Sequence, residues 1–181
     1  RVSLEDVEKY RQMLDILPFN HNLGDSFYED KMASVSEDLK AKKMLVESEG
    51  AQIVNLEDKS FGVAGLIKSD GATTYLLRDL ATVKYRLEQM HLFKALYVVD
   101  NRQSHHFDQV FEISKRVGYL LNSEMLKHVE LGFMSLPEGA ISTRKGTTIS
   151  LQNLLDEAGK RALAIINEKN TELQNKNTVA K

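Results

Sequence analysis

The chain has 181 residues and a net charge of −2, which is enough length for one compact domain and gives no electrostatic footprint for nucleic acid. It has no cysteine, which excludes disulfides and thiolate metal sites, and no apolar run long enough to cross a membrane. Hydrophobic residues at 42% and charged residues at 28% are typical of a soluble globular protein, and a cytoplasmic location is expected.

The first 60 residues predict two helices and a hairpin. Apolar residues at helical spacing indicate one helix from Ser3 to Pro18 and a second over residues 30–43. Residues 45–46 and 51–56 predict a β-hairpin, with residues 47–50 as a four-residue turn. This segment therefore reads as a small α+β unit.

Residues 68–81, KSDGATTYLLRDLA, follow a short apolar run at residues 63–67 that predicts a buried parallel strand. The letters SDG predict a turn, and a helix should follow it to about residue 91. Tyr75 and Asp79 are four apart and share one helix face, where a phenol and a carboxylate suit a guanidinium. Spacing alone leaves open a half-buried aromatic and a solvated carboxylate.

A second strand-helix unit follows. Residues 95–99, ALYVV, predict an inner parallel strand, and residues 105–117 predict a helix that ends at Gly118. Residues 127–134 predict another strand, and residues 151–168 a last helix. The alternation predicts an α/β fold with a doubly wound, mostly parallel sheet.

Residues 141–146, ISTRKG, combine two cations, two hydroxyls and a glycine. Such a loop can neutralise and hydrogen-bond phosphate groups. A basic surface loop without a ligand is the alternative.

These segments together resemble the arginyl-tRNA synthetases, class I enzymes that join arginine to its tRNA. The stretch KSDGATTYLLRDLA is similar to the family signature K-S-D-G-x-x-x-Y-x-x-R-D-L-A. The stretch YVVDNRQSHHFDQVF is similar to Y-V-V-G-x-x-Q-x-x-H-F-x-Q-L-F, and STRKG resembles the family's form of the KMSKS loop, which closes on ATP.

The resemblance implies an arginine site made of Tyr75, Asp79 and Gln103. The loop FNHNLGDSFY is similar to F-D-x-Y-x-G-E-S-F-Y, so Asp25 stands where the family has a glutamate that helps to hold the guanidinium. An aspartate is one methylene shorter. Gln103 would bind near the α-amino group, since an amide offers both an acceptor and a donor.

The resemblance also implies an ATP site and a catalytic loop. Mg²⁺ would arrive with ATP, and no protein-bound metal is expected, because adjacent histidines on a helix face different ways. The residues implied for ATP are His106, His128, Gly132, Ser142 and Lys145, and those implied for the catalytic loop are Ser142, Thr143, Arg144 and Lys145.

Some family features are absent. The H-x-G-H motif of class I synthetases is missing, Asp100 stands at a usual glycine, and Ala140 at a usual lysine. We therefore expect the second half of a Rossmann-like catalytic domain, cut from a longer protein. Residues 1–60 would be part of the connective insertion, 61–168 the nucleotide-fold half, and 169–181 a polar tail.

The implied activity is ATP-dependent formation of arginyl-adenylate, followed by transfer of the arginyl group to the 3′ end of the tRNA. Arginine, ATP and tRNA are the expected partners, with no membrane, and the chain is expected to be a monomer that is inactive alone. A non-catalytic paralogue or fragment that binds arginine or a protein partner is the alternative, and it should take up arginine unaided.

Overall fold

The computed structural model describes residues 2–132, 135–136, 139–140 and 150–169. Contacts within the chain group it into two units, Arg1–Leu131 and Gly132–Lys181. The predicted division at residues 60 and 168 stays a prediction. The predicted polar tail lies outside the described residues, except for Lys169.

The described residues form helices and short strands. The α-helices are α1 Val2–Met13, α2 Met32–Ala41, α3 Tyr75–Glu88, α4 Ser104–Val117 and α5 Leu151–Lys169. The strands are β1 Val46–Ser48, β2 Ala51–Asn55, β3 Val63–Ile67, β4 Ala95–Asp100, β5 Leu126–Leu131, β6 Ser135–Leu136 and β7 Gly139–Ala140. Short 3-10 helices span Asp25–Lys31, Glu57–Lys59, Asn101–Gln103 and Ser123–Met125.

Helix positions agree with the apolar periodicity, although some ends differ. Helix α1 ends at Met13 and not at Pro18, because the chain turns at Asp15, whose φ is 51°. Helix α3 ends at Glu88, before the expected residue 91. Helix α4 closes at Gly118 as predicted, with a left-handed φ of 97°.

The predicted hairpin is present, but the prediction of a four-residue turn is wrong. Strand β1 continues to Ser48, which pairs with Ala51, so the turn consists of Glu49 and Gly50 alone. Both have positive φ, 51° and 78°, the conformation that matches the twist of two antiparallel strands.

Strand β3 lies where it was predicted, but the prediction that it is a parallel strand is wrong. It pairs antiparallel with β2, and the three strands form one sheet in the order β1-β2-β3. The link over residues 56–62 is too short for the crossover that a parallel pair needs, so the chain doubles back. Burial alternates, with Ala64 and Leu66 inside and Val63 exposed, so the strand has one covered face.

Strands β4 and β5 lie at two of the predicted strand positions and pair in parallel, in register from Ala95 opposite Leu126 to Asp100 opposite Leu131. Helix α4 connects them and packs the rings of Phe107 and Phe111 on Tyr97. Leu96 and Val98 on the other face are more than half exposed. The chain therefore has an α/β fold with a parallel pair, but the prediction of β4 as a buried inner strand is wrong for the described residues.

The core of the first unit lies between these sheets and helices α2, α3 and α4. Its members are apolar side chains spaced so that one stripe of each helix points inward. The fully buried ones include Val35 and Leu39 on α2, Leu77, Leu80 and Val83 on α3, Val110 and Ile113 on α4, and Val54, Leu56 and Leu66 in or beside the antiparallel sheet.

Candidate active site

The start of α3 is fixed by the turn that the letters SDG predict. Gly71 takes a φ of 84°, and the Asp70 carboxylate accepts a hydrogen bond from the Ala72 N–H at 2.9 Å. The Thr74 hydroxyl donates to the Gly65 carbonyl at 2.8 Å, which ties the helix start to β3. Tyr75 is the first helical residue, and it is 73% exposed.

The start of α4 is fixed by Asp100 at the end of β4. Its carboxylate accepts the Arg102 N–H at 2.8 Å and binds the Arg102 guanidinium through two contacts of 2.9 Å. Those hydrogen bonds hold the pKa of Asp100 below its usual value of 3.8. Gln103 ends this 3-10 turn, immediately precedes α4 and is exposed. The residue that replaces the family's glycine therefore shapes the loop that carries Gln103.

The two helices meet at Asp79 and His106. The His106 Nε2 atom lies 2.6 Å from Asp79 Oδ2, and the side chains are 27% and 33% exposed. Tyr75 lies one turn before Asp79, and Gln103 lies three residues before His106. The contact thus joins Asp79, which is implied for arginine binding, to His106, which is implied for ATP binding. Tyr75 and Gln103, which are also implied for arginine binding, lie within four residues of this pair along the chain.

A second cluster forms around Arg78. Its Nη1 lies 3.3 Å from Asp25 Oδ2, and its Cζ lies 5.4 Å from the centre of the Tyr75 ring. A guanidinium of the chain itself therefore lies between the phenol and one of the carboxylates expected to receive arginine. Sequence reasoning gave Arg78 no role, although its spacing of three from Tyr75 could have indicated the contact.

The predicted ATP residues are only partly described. His128 on β5 is half-buried, its Nε2 lies 3.2 Å from the Val99 carbonyl oxygen, and its ring lies 5.2 Å from that of Phe107. Gly132 is exposed and directly follows β5. Their role with ATP stays a prediction. Ser142, Thr143, Arg144 and Lys145 lie outside the described residues.

Neither a cluster of metal-ligating side chains nor a membrane-crossing helix occurs among the described residues. They contain no group of three or more histidines and acids that could hold a metal ion. None of their helices combines the length and apolar character that a membrane crossing requires.

One surface cavity, of about 280 Å³, lies beside α2 and α3 and involves none of the predicted site residues. Lys31 and Lys84 line it. Each lysine already has an acidic partner, Asp30 at 2.8 Å and Asp38 at 2.5 Å. Glu88 also lines the cavity, so side chains of both charges border it and the cavity indicates no particular ligand charge.

Comparison with known families gives a match over the whole chain. A family model described as class I tRNA synthetases (R), catalytic domain, matches residues 1–181. The arginine-tRNA ligase of Lactococcus lactis subsp. lactis is 45% identical over 163 residues, or 90% of this chain and 29% of the relative. That of Streptococcus uberis is 43% identical over 178 residues, or 98% of this chain and 31% of the relative. The chain thus spans about 30% of the length of the curated relatives it matches.

Solved structures show the same likeness. The arginyl-tRNA synthetase of Plasmodium falciparum has a TM-score of 0.78 at 27% identity, covering 99% of this chain and 30% of that one. The enzyme of Thermus thermophilus has a TM-score of 0.63 at 20% identity, covering 83% of this chain and 32% of that one, a likeness of fold alone.

Proposed function

Since this chain belongs to the family of class I tRNA synthetase catalytic domains for arginine, we propose that it supplies the arginine-binding half of the active site of an arginine-tRNA ligase. The observation that carries the proposal is the contact between Asp79 and His106, which joins the starts of α3 and α4. Tyr75, Asp79 and Gln103 lie on these two helix starts and can line one cleft.

The proposed reaction has two steps. The carboxylate of arginine attacks the α-phosphate of ATP, which gives arginyl-adenylate and releases pyrophosphate. A hydroxyl of the terminal ribose of the tRNA then attacks the arginyl carbonyl, which releases AMP. Such chemistry needs positioning and charge neutralisation and no covalent nucleophile on the protein.

Asp79 is the carboxylate that we assign to the substrate guanidinium. An ionised carboxylate can accept two parallel hydrogen bonds from this planar cation, and Asp79 is one-third exposed. Asp25 already contacts Arg78, so we give it the lesser part in arginine binding. Tyr75 would cover the guanidinium, and Gln103 would bind the α-amino end.

The ATP side of the proposal rests on the resemblance. His128 and Gly132 would lie by the nucleotide, and Ser142, Thr143, Arg144 and Lys145 by the phosphates. Because no acidic cluster among the described residues can hold Mg²⁺, we assign it no ligand and no step. The same proposal includes a doubly wound sheet and a monomeric state. It also includes a cytoplasmic location, because ATP and tRNA are used there for protein synthesis.

The substitution Asp79→Asn tests the assignment in the full-length ligase. Loss of the charge should raise the KM for arginine by about 10-fold to 100-fold, since a hydrogen bond to a charged group contributes about 1.5–3 kcal/mol. The KM for ATP should stay within about twofold. Asp108→Asn, an exposed carboxylate on α4, is the matched control and should change neither constant. An unchanged KM for arginine in Asp79→Asn would defeat the assignment.

A further inference from the structure

We infer that His106 is a positioning residue for arginine, because its imidazole fixes the carboxylate of Asp79 in the orientation that receives the guanidinium. The inference rests on the proposed function and assigns His106 to the arginine side of the site. It differs from the expectation that His106 serves ATP.

The anchoring of the imidazole supports this role. His106 is the third residue of α4, and its ring meets the edge of the Phe107 ring at 5.3 Å and an interplanar angle of 84°. Phe107 is 5% exposed and packs on Tyr97 and Phe111 in the core. The imidazole thus stands against a rigid aromatic cluster, whereas an unsupported aspartate on a helix surface rotates freely.

Asp79 keeps room for a ligand while it contacts His106. The contact uses Oδ2, and among the described residues no side chain or backbone group donates a hydrogen bond to Oδ1. Each carboxylate oxygen has two lone pairs, so Oδ2 can accept a second donor. One carboxylate can therefore be held by the histidine and still accept both N–H groups of a guanidinium.

The direction of the hydrogen bond follows from the chemistry of the two groups. An ionised carboxylate only accepts, so the Nε2 atom of His106 carries the proton and donates. This hydrogen bond restricts the rotation of the Asp79 side chain before arginine binds. Less binding free energy is then lost to the ordering of Asp79 when arginine binds.

A set of four variants in the full-length ligase tests the inference through KM values for arginine and ATP. His106→Ala should raise the KM for arginine by about 10-fold and leave that for ATP within about twofold. His106→Gln, whose longer amide can place a nitrogen near the original Nε2, should stay near the parent. His106→Asn is too short and should behave like His106→Ala, while His105→Ala, an exposed neighbour, should change nothing.

A double variant completes the test. If His106 acts through Asp79, His106→Ala should add little to the effect of Asp79→Asn, because the two changes remove the same interaction. Thermal melting of each variant checks that it folds. If His106→Ala unfolds, the comparison of His106→Gln with His106→Asn replaces it: the inference predicts a parental KM for arginine in His106→Gln and a raised one in His106→Asn.

The outcomes separate this inference from the proposed function. His106→Ala and His106→Asn could keep the parental KM for arginine, or could raise only the KM for ATP. If Asp79→Asn still raises the KM for arginine in that case, His106 is not a positioning residue and the proposed function stands. A normal KM for arginine in Asp79→Asn itself would overturn both.

Discussion

Single residues carry the arginine site that we propose between α3 and α4. Asp79, Tyr75 and Asp25 each have an internal partner, and the strengths of these partnerships differ. The contact of Asp79 with His106 is short at 2.6 Å, whereas that of Asp25 with Arg78 is 3.3 Å and its carboxylate is 73% exposed. Exposed ion pairs contribute little, about 0–1 kcal/mol.

That difference predicts a small effect for Asp25→Asn. The change should raise the KM for arginine by less than about fivefold, since up to about 1 kcal/mol is at stake. Steady-state aminoacylation by the full-length ligase measures it beside Asp79→Asn. Equal effects of the two substitutions would show that Asp25 holds the substrate guanidinium directly.

The sequence could predict part of this site and not the rest. The shared face of Tyr75 and Asp79 follows from a spacing of four, which needs no tertiary information. The contact of Asp79 with His106 joins residues 27 apart on different helices, and no local pattern encodes it. The family resemblance named both residues but assigned them to different ligands.

At the scale of elements, a half-buried network of polar side chains holds α2 against α3. Asp38 on α2 accepts hydrogen bonds from Lys84 Nζ at 2.5 Å and from the Tyr119 hydroxyl at 2.6 Å. Burial raises the pKa of Asp38, but the two hydrogen bonds and the charge of Lys84 together outweigh it and hold the pKa below its usual value of 3.8. Burial and the bond to Asp38 raise the pKa of Tyr119.

The lowered pKa predicts how stability depends on pH. Asp38 binds a proton less readily in the folded chain than in the unfolded chain, so its contribution is present above its usual pKa and is lost as the pH falls. In urea titrations of the full chain, the free energy of unfolding should begin to fall at about pH 5 and should keep falling below the usual pKa of 3.8. Asp38→Asn should flatten this dependence, and Tyr119→Phe, which removes one of the two donors, should flatten it less. An unaltered dependence in Asp38→Asn would contradict the network's role.

The elements also show where local patterns are sufficient. The SDG turn and the start of α3 were predicted correctly, because Asp70 and Gly71 determine them within a few residues. The pairing of β3 was predicted wrongly, because an apolar run does not reveal its partner strand. The short link over residues 56–62 decides that pairing, and it appears in the sequence only as a loop.

At the scale of the whole molecule, the chain spans about 30% of the curated ligases that it matches. One face of β4 is open in the described residues, with Leu96 58% and Val98 55% exposed. The residues that we assign to arginine binding all belong to the unit Arg1–Leu131, whereas the proposed phosphate-binding residues belong to the unit Gly132–Lys181. Because the chain spans only part of those ligases, the proposed activity concerns a full-length ligase, in which we propose that this chain supplies the arginine-binding part.

The most direct test of that claim is a calorimetric comparison of arginine with citrulline, its neutral urea isostere, on the full-length ligase. If the carboxylate of Asp79 receives the guanidinium, the parent enzyme should bind arginine at least about tenfold more tightly than citrulline, because a charge-assisted pair contributes about 1.5–3 kcal/mol. Asp79→Asn should lose most of that preference. A preference for arginine that is unchanged in Asp79→Asn would contradict the account.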